Sequence, residues 1–247
     1  MAKSKSILVI PDAHAHPEFD NFRFHWIGQQ IAELKPTYVV CLGDFADMPA
    51  LSMYDKGKLS GEGRRVSADI ESCKEALDIL DAKMRPMKVP PKKVVALGNH
   101  EARIDTAIND NPAMYGMYST KDLGFEEYGW DVVPFKEVAV VEGWWFSHFF
   151  PNGLMGKPMG GENAPKALLK KEGVSCVYGH GHTLGYATHV RGDGKRIHAI
   201  DAGCMGHPGQ VEGWNRNTAR YWWYGLTFLD GVEDGSCSEV RFIEYKK

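Results

Sequence analysis

Short apolar runs and helix-period stripes alternate through the first half of the chain. Residues 7–10 form a continuous apolar run ended by Pro11, which predicts a buried strand. Over residues 22–34, Phe22, Trp26, Ile27, Ile31 and Leu34 recur near helical spacing, and Pro36 marks the helix end. Residues 38–42 read as a second buried strand stopped by Gly43. A long helix is predicted over 67–84, with Ile70, Ala76, Leu77 and Leu80 on one apolar face. Ser67 and Ile70 supply only half a capping box there, so its start is loosely placed. Pro90-Pro91 breaks the chain before a third strand over 94–97, which ends at Gly98, and helical segments follow over 102–109 and 120–127.

This β-α-β-α-β order predicts an α/β protein with a parallel sheet core, since strands buried on both faces read as unbroken apolar runs. The second half is richer in strands. Segments 137–141 and 144–149 flank Glu142-Gly143, and 186–190 and 196–200 flank Gly192-Asp193-Gly194, both hairpin signals. A helix over 164–171, a buried strand over 174–178 and final strands over 224–229 and 239–245 complete the pattern. The glycine-rich stretch 152–161 reads as a mobile loop. No internal repeat or low-complexity tract interrupts the chain.

Composition narrows the class. The 247 residues are 43% hydrophobic, ordinary for a globular protein, and the expectation is one domain spanning 1–247. The formal net charge of -3 argues against a strongly basic nucleic-acid platform. Five cysteines, an odd number with no CxxC pair, fit a reduced, cytoplasmic protein. The apolar run 7–10 is too short for a signal-peptide core, and no stretch reaches the roughly 18 apolar residues of a membrane span.

The chemistry sits where the strands stop. Three early runs lead into Asp12-Ala13-His14, Gly43-Asp44 and Gly98-Asn99-His100-Glu101. A later one leads into Gly179-His180-Gly181-His182, and His148 falls late in another. Ligands of open α/β sheets bind beyond the carboxyl ends of the strands, so five distant segments deliver Asp, Asn and His to one edge. Carboxylate and amide oxygens with imidazole nitrogens, and no thiolate, suit Mn, Fe, Zn or Ni. Two such cations about 3.5–4 Å apart can clamp a phosphate and activate a water.

These blocks resemble the calcineurin-like metallophosphoesterases, whose pattern is DxH, GDxxD, GNH[DE], a lone His and GHxH. All five occur in order between Asp12 and His182, the second being Gly43-Asp44-Phe45-Ala46-Asp47. Beyond Tyr186 the chain matches only in its strand-rich character. The resemblance implies a four-layer α/β/β/α sandwich with two mixed sheets. It implies two divalent metal ions, with Mn favoured over Fe, Zn and Ni. Asp12, His14 and His182 would hold one ion, Asn99, His148 and His180 the other, and Asp44 would bridge them. His100 would face the leaving-group oxygen, oriented by Asp47, while a metal-bridging hydroxide attacks phosphorus. Asn99 and Arg103 would also meet the substrate.

The protein-phosphatase branch of that family continues GDxxD with a phosphate-gripping arginine. Met48-Pro49 stand here instead, which points away from that activity. Arg103 is either a replacement cation or an exposed helix arginine. The leading expectation is a phosphodiesterase acting on nucleic acid, a nucleotide or a small phosphodiester. The alternatives are a phosphomonoesterase using Arg103, Lys157 or Arg216 on the phosphate, and a non-catalytic scaffold. His16 reads as a loop residue behind the ligands and His207 as a residue bordering the cleft. The aromatic clusters read mainly as core, with Trp214 as the candidate surface contact.

Overall fold

The computed structural model describes residues 4–210 and 216–246. Thirteen strands occur among them: β1 (Lys5–Ile10), β2 (Tyr38–Cys41), β3 (Lys92–Ala96), β4 (Trp130–Val133), β5 (Ala139–Val141), β6 (Trp144–Ser147), β7 (Pro151–Asn152), β8 (Lys157–Pro158), β9 (Cys176–Tyr178), β10 (Leu184–Val190), β11 (Arg196–Ala202), β12 (Gly225–Val232) and β13 (Glu239–Glu244). The α-helices are α1 (Phe22–Leu34), α2 (Val66–Met84), α3 (Arg103–Asp110) and α4 (Ala164–Glu172).

Two mixed sheets result. One runs β13-β12-β1-β2-β3-β4, with β1 to β4 parallel and β12 and β13 antiparallel. The other runs β10-β11-β9-β6-β5, with β11, β9 and β6 parallel. The two-residue alternation of each strand divides its side chains between layers. Leu8 and Ile10 of β1 pack with Phe24, Ile27 and Ile31 of α1 and with Ala76, Leu77 and Leu80 of α2. Ile7 and Val9 point the other way, against Trp144 and Phe146 of β6 and Val177 of β9. Cys176 and Tyr178 of β9 then meet Leu168 and Leu169 of α4. Three apolar layers between four layers of structure make the α/β/β/α sandwich.

Local chemistry explains most boundaries. Lys35 takes the left-handed conformation and donates its N–H to Ile31 O, closing α1 just before Pro36. Pro165 sits in the first turn of α4 and Gly173, at φ 68°, ends it. The expected helix over 120–127 is only a 3₁₀ turn, Thr120–Leu123, because Gly124 at φ 87° ends it. Strand β4 was not expected, since polar Asp131 interrupts a four-residue run. The stretch 152–161 is not simply a loop: β7 and β8 pair across it as a small antiparallel hairpin. Strand β6 stops at Ser147, so His148 lies beyond the strand end.

Candidate metal centre

The parallel strands of both sheets end at the site. Asp12 and His14 follow β1, Asp44 and Asp47 follow β2, and Asn99 and His100 follow β3. His148 follows β6, and His180 and His182 follow β9. Five of these candidate ligands have positive φ although none is glycine: Asp12 (33°), His14 (48°), Asp44 (46°), His180 (69°) and His182 (58°). A left-handed L-residue costs about 1–2 kcal/mol, so such a concentration marks turns held by their surroundings for function.

Backbone bonds between segments hold them. The His14 and Ala15 amides donate to Asp44 O and Phe45 O at 2.8 and 2.6 Å, and Asp47 N donates to Ala15 O at 2.9 Å. Buried Glu101 does the same with a side chain: its Oε2 accepts from the Asp44 and Gly98 amides at 2.9 and 2.7 Å, and its Oε1 from Ala46 at 2.9 Å. Burial and the Asp44 carboxylate push the Glu101 pKa up to about 7, against the pull of the Ala46 and Gly98 amides. Glycine is required at two close approaches. A Cβ on Gly98 would lie 2.2 Å from Asp44 Oδ1, and one on Gly179 would lie 2.0 Å from Asp12 Oδ2.

Among the described residues the donor atoms form three groups, one of which, His14, Asp47 and His100, overlaps the first through His14. Asp12, His14 and His182 each present a ligand atom within 4.8 Å of the others. His14 Nδ1 donates to Asp47 Oδ1 at 2.8 Å, which leaves Nε2 with a lone pair, 3.2 Å from His182 Nε2. Asp44, His148 and His180 form the second group. His148 Nδ1 donates to Leu42 O at 3.0 Å, so its Nε2 is the bare nitrogen. That atom faces Asn99 Oδ1 at 2.8 Å, His180 Nδ1 at 3.1 Å and Asp44 Oδ2 at 3.3 Å. Four acceptors converging this closely, with a carbonyl fixing the histidine tautomer, are what a divalent cation requires.

The electrostatics agree. Burial keeps His148 (pushed down to about 4), His180 and His182 neutral, as ligation demands. Burial, and then the neighbouring Asp44 carboxylate, raise the Asp12 pKa well above its ordinary value. Burial works the same way on Asp44, but His100, His148 and His14 outweigh it and hold that carboxyl low. Two crowded carboxylates of this kind gain from bound cations, and the residues fit a pair of metal ions.

Around these donors lies a cleft of about 230 Å³, lined among others by Tyr54, Asn99, His100, Arg103, His207 and Trp222. His100 Nδ1 donates to Asp47 O at 2.7 Å and lies 3.0 Å from Asp47 Oδ1. Burial opposes its charged form, yet Asp44 and Asp47 outweigh burial and Arg103, so its pKa is raised. Asp47 thus serves both His14 and His100. The Arg103 guanidinium is engaged: Nη1 donates to Asp47 O at 2.8 Å and to Met48 O at 3.2 Å, and Nη2 sits 3.0 Å from His100 Nε2.

His16 is buried behind the ligands, its Nδ1 accepting from Glu18 N and its Nε2 3.7 Å from Asp47 Oδ2. Lys157 and Arg216 are exposed and do not line the cleft. Trp214 lies outside the described residues. Glu101, Arg23 and Tyr54 were given no role in the sequence, and Trp222 fell in the aromatic cluster 221–224 that was read mainly as core. Only Glu101 carried a signal, its place in the GNHE block. The Trp222 ring packs edge-on at 4.4 Å from that of His182.

Oxygen and imidazole donors gathered at the carboxyl edge of two packed mixed sheets define an α/β metal-dependent hydrolase scaffold. The chain belongs to the calcineurin-like phosphoesterase family, whose pattern matches residues 5–186. It is 29% identical over 198 residues to the gene 54 protein of Mycobacterium phage L5, covering 77% of this chain and 74% of that one. To the gene 54 protein of Mycobacterium phage D29 it is 28% identical over the same shares. Among solved structures it is similar to the E. coli phosphoesterase Yfce (TM-score 0.42, 13% identity, 97% of this chain and 100% of that one). It is also similar to a dimetal phosphatase from Danio rerio (TM-score 0.44, 10% identity, 99% and 100%). No helix among the described residues is long and apolar enough to cross a membrane.

Proposed function

We propose that the protein is a phosphodiesterase, cleaving nucleic acid, a nucleotide or a small phosphodiester. The observation that carries this reading is the engagement of Arg103. Among the described residues lining the cleft it is the one Lys or Arg, and its guanidinium is tied to two carbonyls and to His100. A monoester carries nearly two negative charges at pH 7, and its terminal oxygens call for a free side-chain cation. A diester carries one charge and needs no such clamp.

Asp12, His14 and His182 would hold one divalent ion, and Asn99, His148 and His180 the other, with Asp44 shared. Mn suits this mixed oxygen and imidazole set, as do Fe, Zn and Ni. Such ions supply a water of lowered pKa and neutralise charge on the phosphoryl oxygens. His100, held through Nδ1 by Asp47, would protonate the leaving oxygen from Nε2, exchanging its contact with Arg103 Nη2 for that oxygen. Asn99 and Arg103 bound the space for the phosphoryl group. The five free thiols fit a reducing compartment, the cytoplasm.

The test is parallel hydrolysis of bis(4-nitrophenyl) phosphate and 4-nitrophenyl phosphate by metal-free protein reloaded with Mn, Zn, Ni, Mg or Fe. Diester preference that needs metal and falls about 10²–10⁴-fold in His100→Ala supports the proposal. Monoester preference would overturn it.

A further inference from the structure

The Asp12–Ala15 turn carries two candidate ligands and two left-handed residues, and almost no solvent reaches it: Asp12, Ala13 and Ala15 are fully buried and His14 nearly so. Every backbone carbonyl buried there needs a donor. Asp12 O accepts from Met205 N at 3.1 Å, and Ala15 O from Asp47 N at 2.9 Å. The other two carbonyls are both served by one side chain. Arg23, in the first turn of α1, donates from Nε to Ala13 O at 2.9 Å and from Nη2 to His14 O at 2.6 Å. Its Nη1 donates to Asp20 O at 2.5 Å, where the chain enters the helix.

Arg23 is itself 1% exposed, and among the described residues its guanidinium forms no ion pair with a carboxylate. Burial lowers its pKa to about 10, while the charges of Asp20 and Asp47 pull the other way, so it remains a cation at neutral pH. A buried guanidinium facing only carbonyls is costly to keep. Its planar fork nevertheless spans the carbonyls of consecutive residues, which a lysine ammonium cannot match. The Cζ also lies 4.7 Å from the Phe24 ring centroid, which fixes the direction of the fork.

We propose that Arg23 is a positioning residue for the metal centre: its guanidinium holds the Asp12–Ala15 turn in the left-handed form that presents Asp12 and His14 to the same ion. Arg23 touches neither ion nor substrate. Its removal therefore loosens one ion more than the other. An ion on Asp12, His14 and His182 would depend on the turn, whereas Asn99, His148 and His180 come from other segments.

The test reads metal binding directly. Wild type, Arg23→Lys and Arg23→Met are stripped, then titrated with Co²⁺ and Mn²⁺ by calorimetry, with the Co²⁺ visible spectrum recorded at each step. Far-UV circular dichroism checks the fold. The expected result is two sites in wild type, with one weakened about 10–100-fold and its Co²⁺ band altered in both variants. The other site should keep its affinity. With both sites filled by excess metal, kcat should fall more than KM rises. Wild-type affinity and spectrum in folded Arg23→Lys, or equal weakening of both sites, would overturn the proposal. If Arg23→Met fails to fold, Arg23→Lys decides alone, because it keeps the charge and volume and loses only the fork. A wild type that binds no metal would instead refute the metal-centre reading on which the inference rests.

Discussion

Replacing Glu101 by Gln isolates the device that joins the Asp44 and Asn99 turns. The carboxylate accepts three backbone amides, from Asp44, Gly98 and Ala46, and is fully buried. Glutamine has nearly the same shape but one acceptor oxygen. Its amide oxygen would stay with the Asp44 and Gly98 amides, and its NH₂ group would meet the Ala46 N–H, donor against donor. Leaving that buried N–H unpaired costs about 1–3 kcal/mol. The two remaining bonds lose their charge assistance, about 1 kcal/mol each, since bonds to charged groups run to about 1.5–3 against about 1. Removing a buried charge beside Asp44 returns part of this. The net expectation is about 2–4 kcal/mol. At about 2–4 °C per kcal/mol for a chain of this size, Tm falls by about 4–16 °C. The assay is urea and thermal unfolding of chelator-treated Glu101→Gln against wild type, so that metal binding does not contribute. A loss below about 0.5 kcal/mol would refute the three-amide account.

Three further expectations test other parts of the site. Gly179→Ala would place a methyl 2.0 Å from Asp12 Oδ2 at a backbone-defined point. It should abolish tight binding of one metal ion, read by atomic emission on the dialysed protein; full occupancy would count against the packing argument. Adding Mn²⁺ at about 100 times its dissociation constant should stabilise the stripped protein by about 2.7 kcal/mol per ion, seen as a rise in Tm that a chelator reverses. Absence of any shift would argue against a native-state metal site. Asp69 accepts from Ala50 N at 2.9 Å through Oδ2, its Oδ1 has no hydrogen-bond partner among the described residues, and burial, with help from Asp47, pushes its pKa up to about 7. Between about pH 4 and 7 the folded state keeps a proton that the unfolded chain has lost, so stability falls as pH rises through that window. Asp69→Asn should remove this fall, with about 4 kcal/mol as the ceiling at pH 8. Urea unfolding that gives the same stability difference between pH 5 and pH 8 in both proteins would refute it.

What the chain shows before folding depends on how local the signal is. Strands β1, β2 and β3 and helix α1 were legible because unbroken apolar runs and a 3.6-residue stripe are written in consecutive residues. Strand β4 was not, since Asp131 breaks its run and its place beside β3 comes from pairing with Lys93–Ala96. The 3₁₀ turn at Thr120–Leu123 was read as a longer helix because the φ of Gly124 is not visible in composition. The candidate ligands Asp12, His14, Asp44, Asn99, His148, His180 and His182 were picked out through the motif blocks and their family resemblance, and the structure brings these residues together. The cost of placing them was not legible.

That cost explains which residues escaped notice. Asp12, His14, Asp44, His180 and His182 sit in a backbone form that L-residues disfavour, and the form persists only where neighbouring groups over-determine it. Arg23 and Glu101 do this by satisfying main-chain atoms of the turns, so their partners are carbonyls and amides whose identity leaves no trace in the sequence. In a helical pattern Arg23 reads as a solvent-facing residue; only the return of the Asp12 turn across the start of α1 buries it. Arg103 carries the converse lesson. Its position beside the GNHE block left open a cation turned towards phosphate or an exposed helix arginine, and the carbonyls of Asp47 and Met48 instead take up its guanidinium. All three side chains bind backbone, and so the cleft keeps its imidazoles and carboxylates for metal while, among the described residues, no lysine or arginine lining it is left free for a dianionic phosphate. That distribution of charge, more than the donor set shared across the family, is the ground on which we propose a diester as substrate.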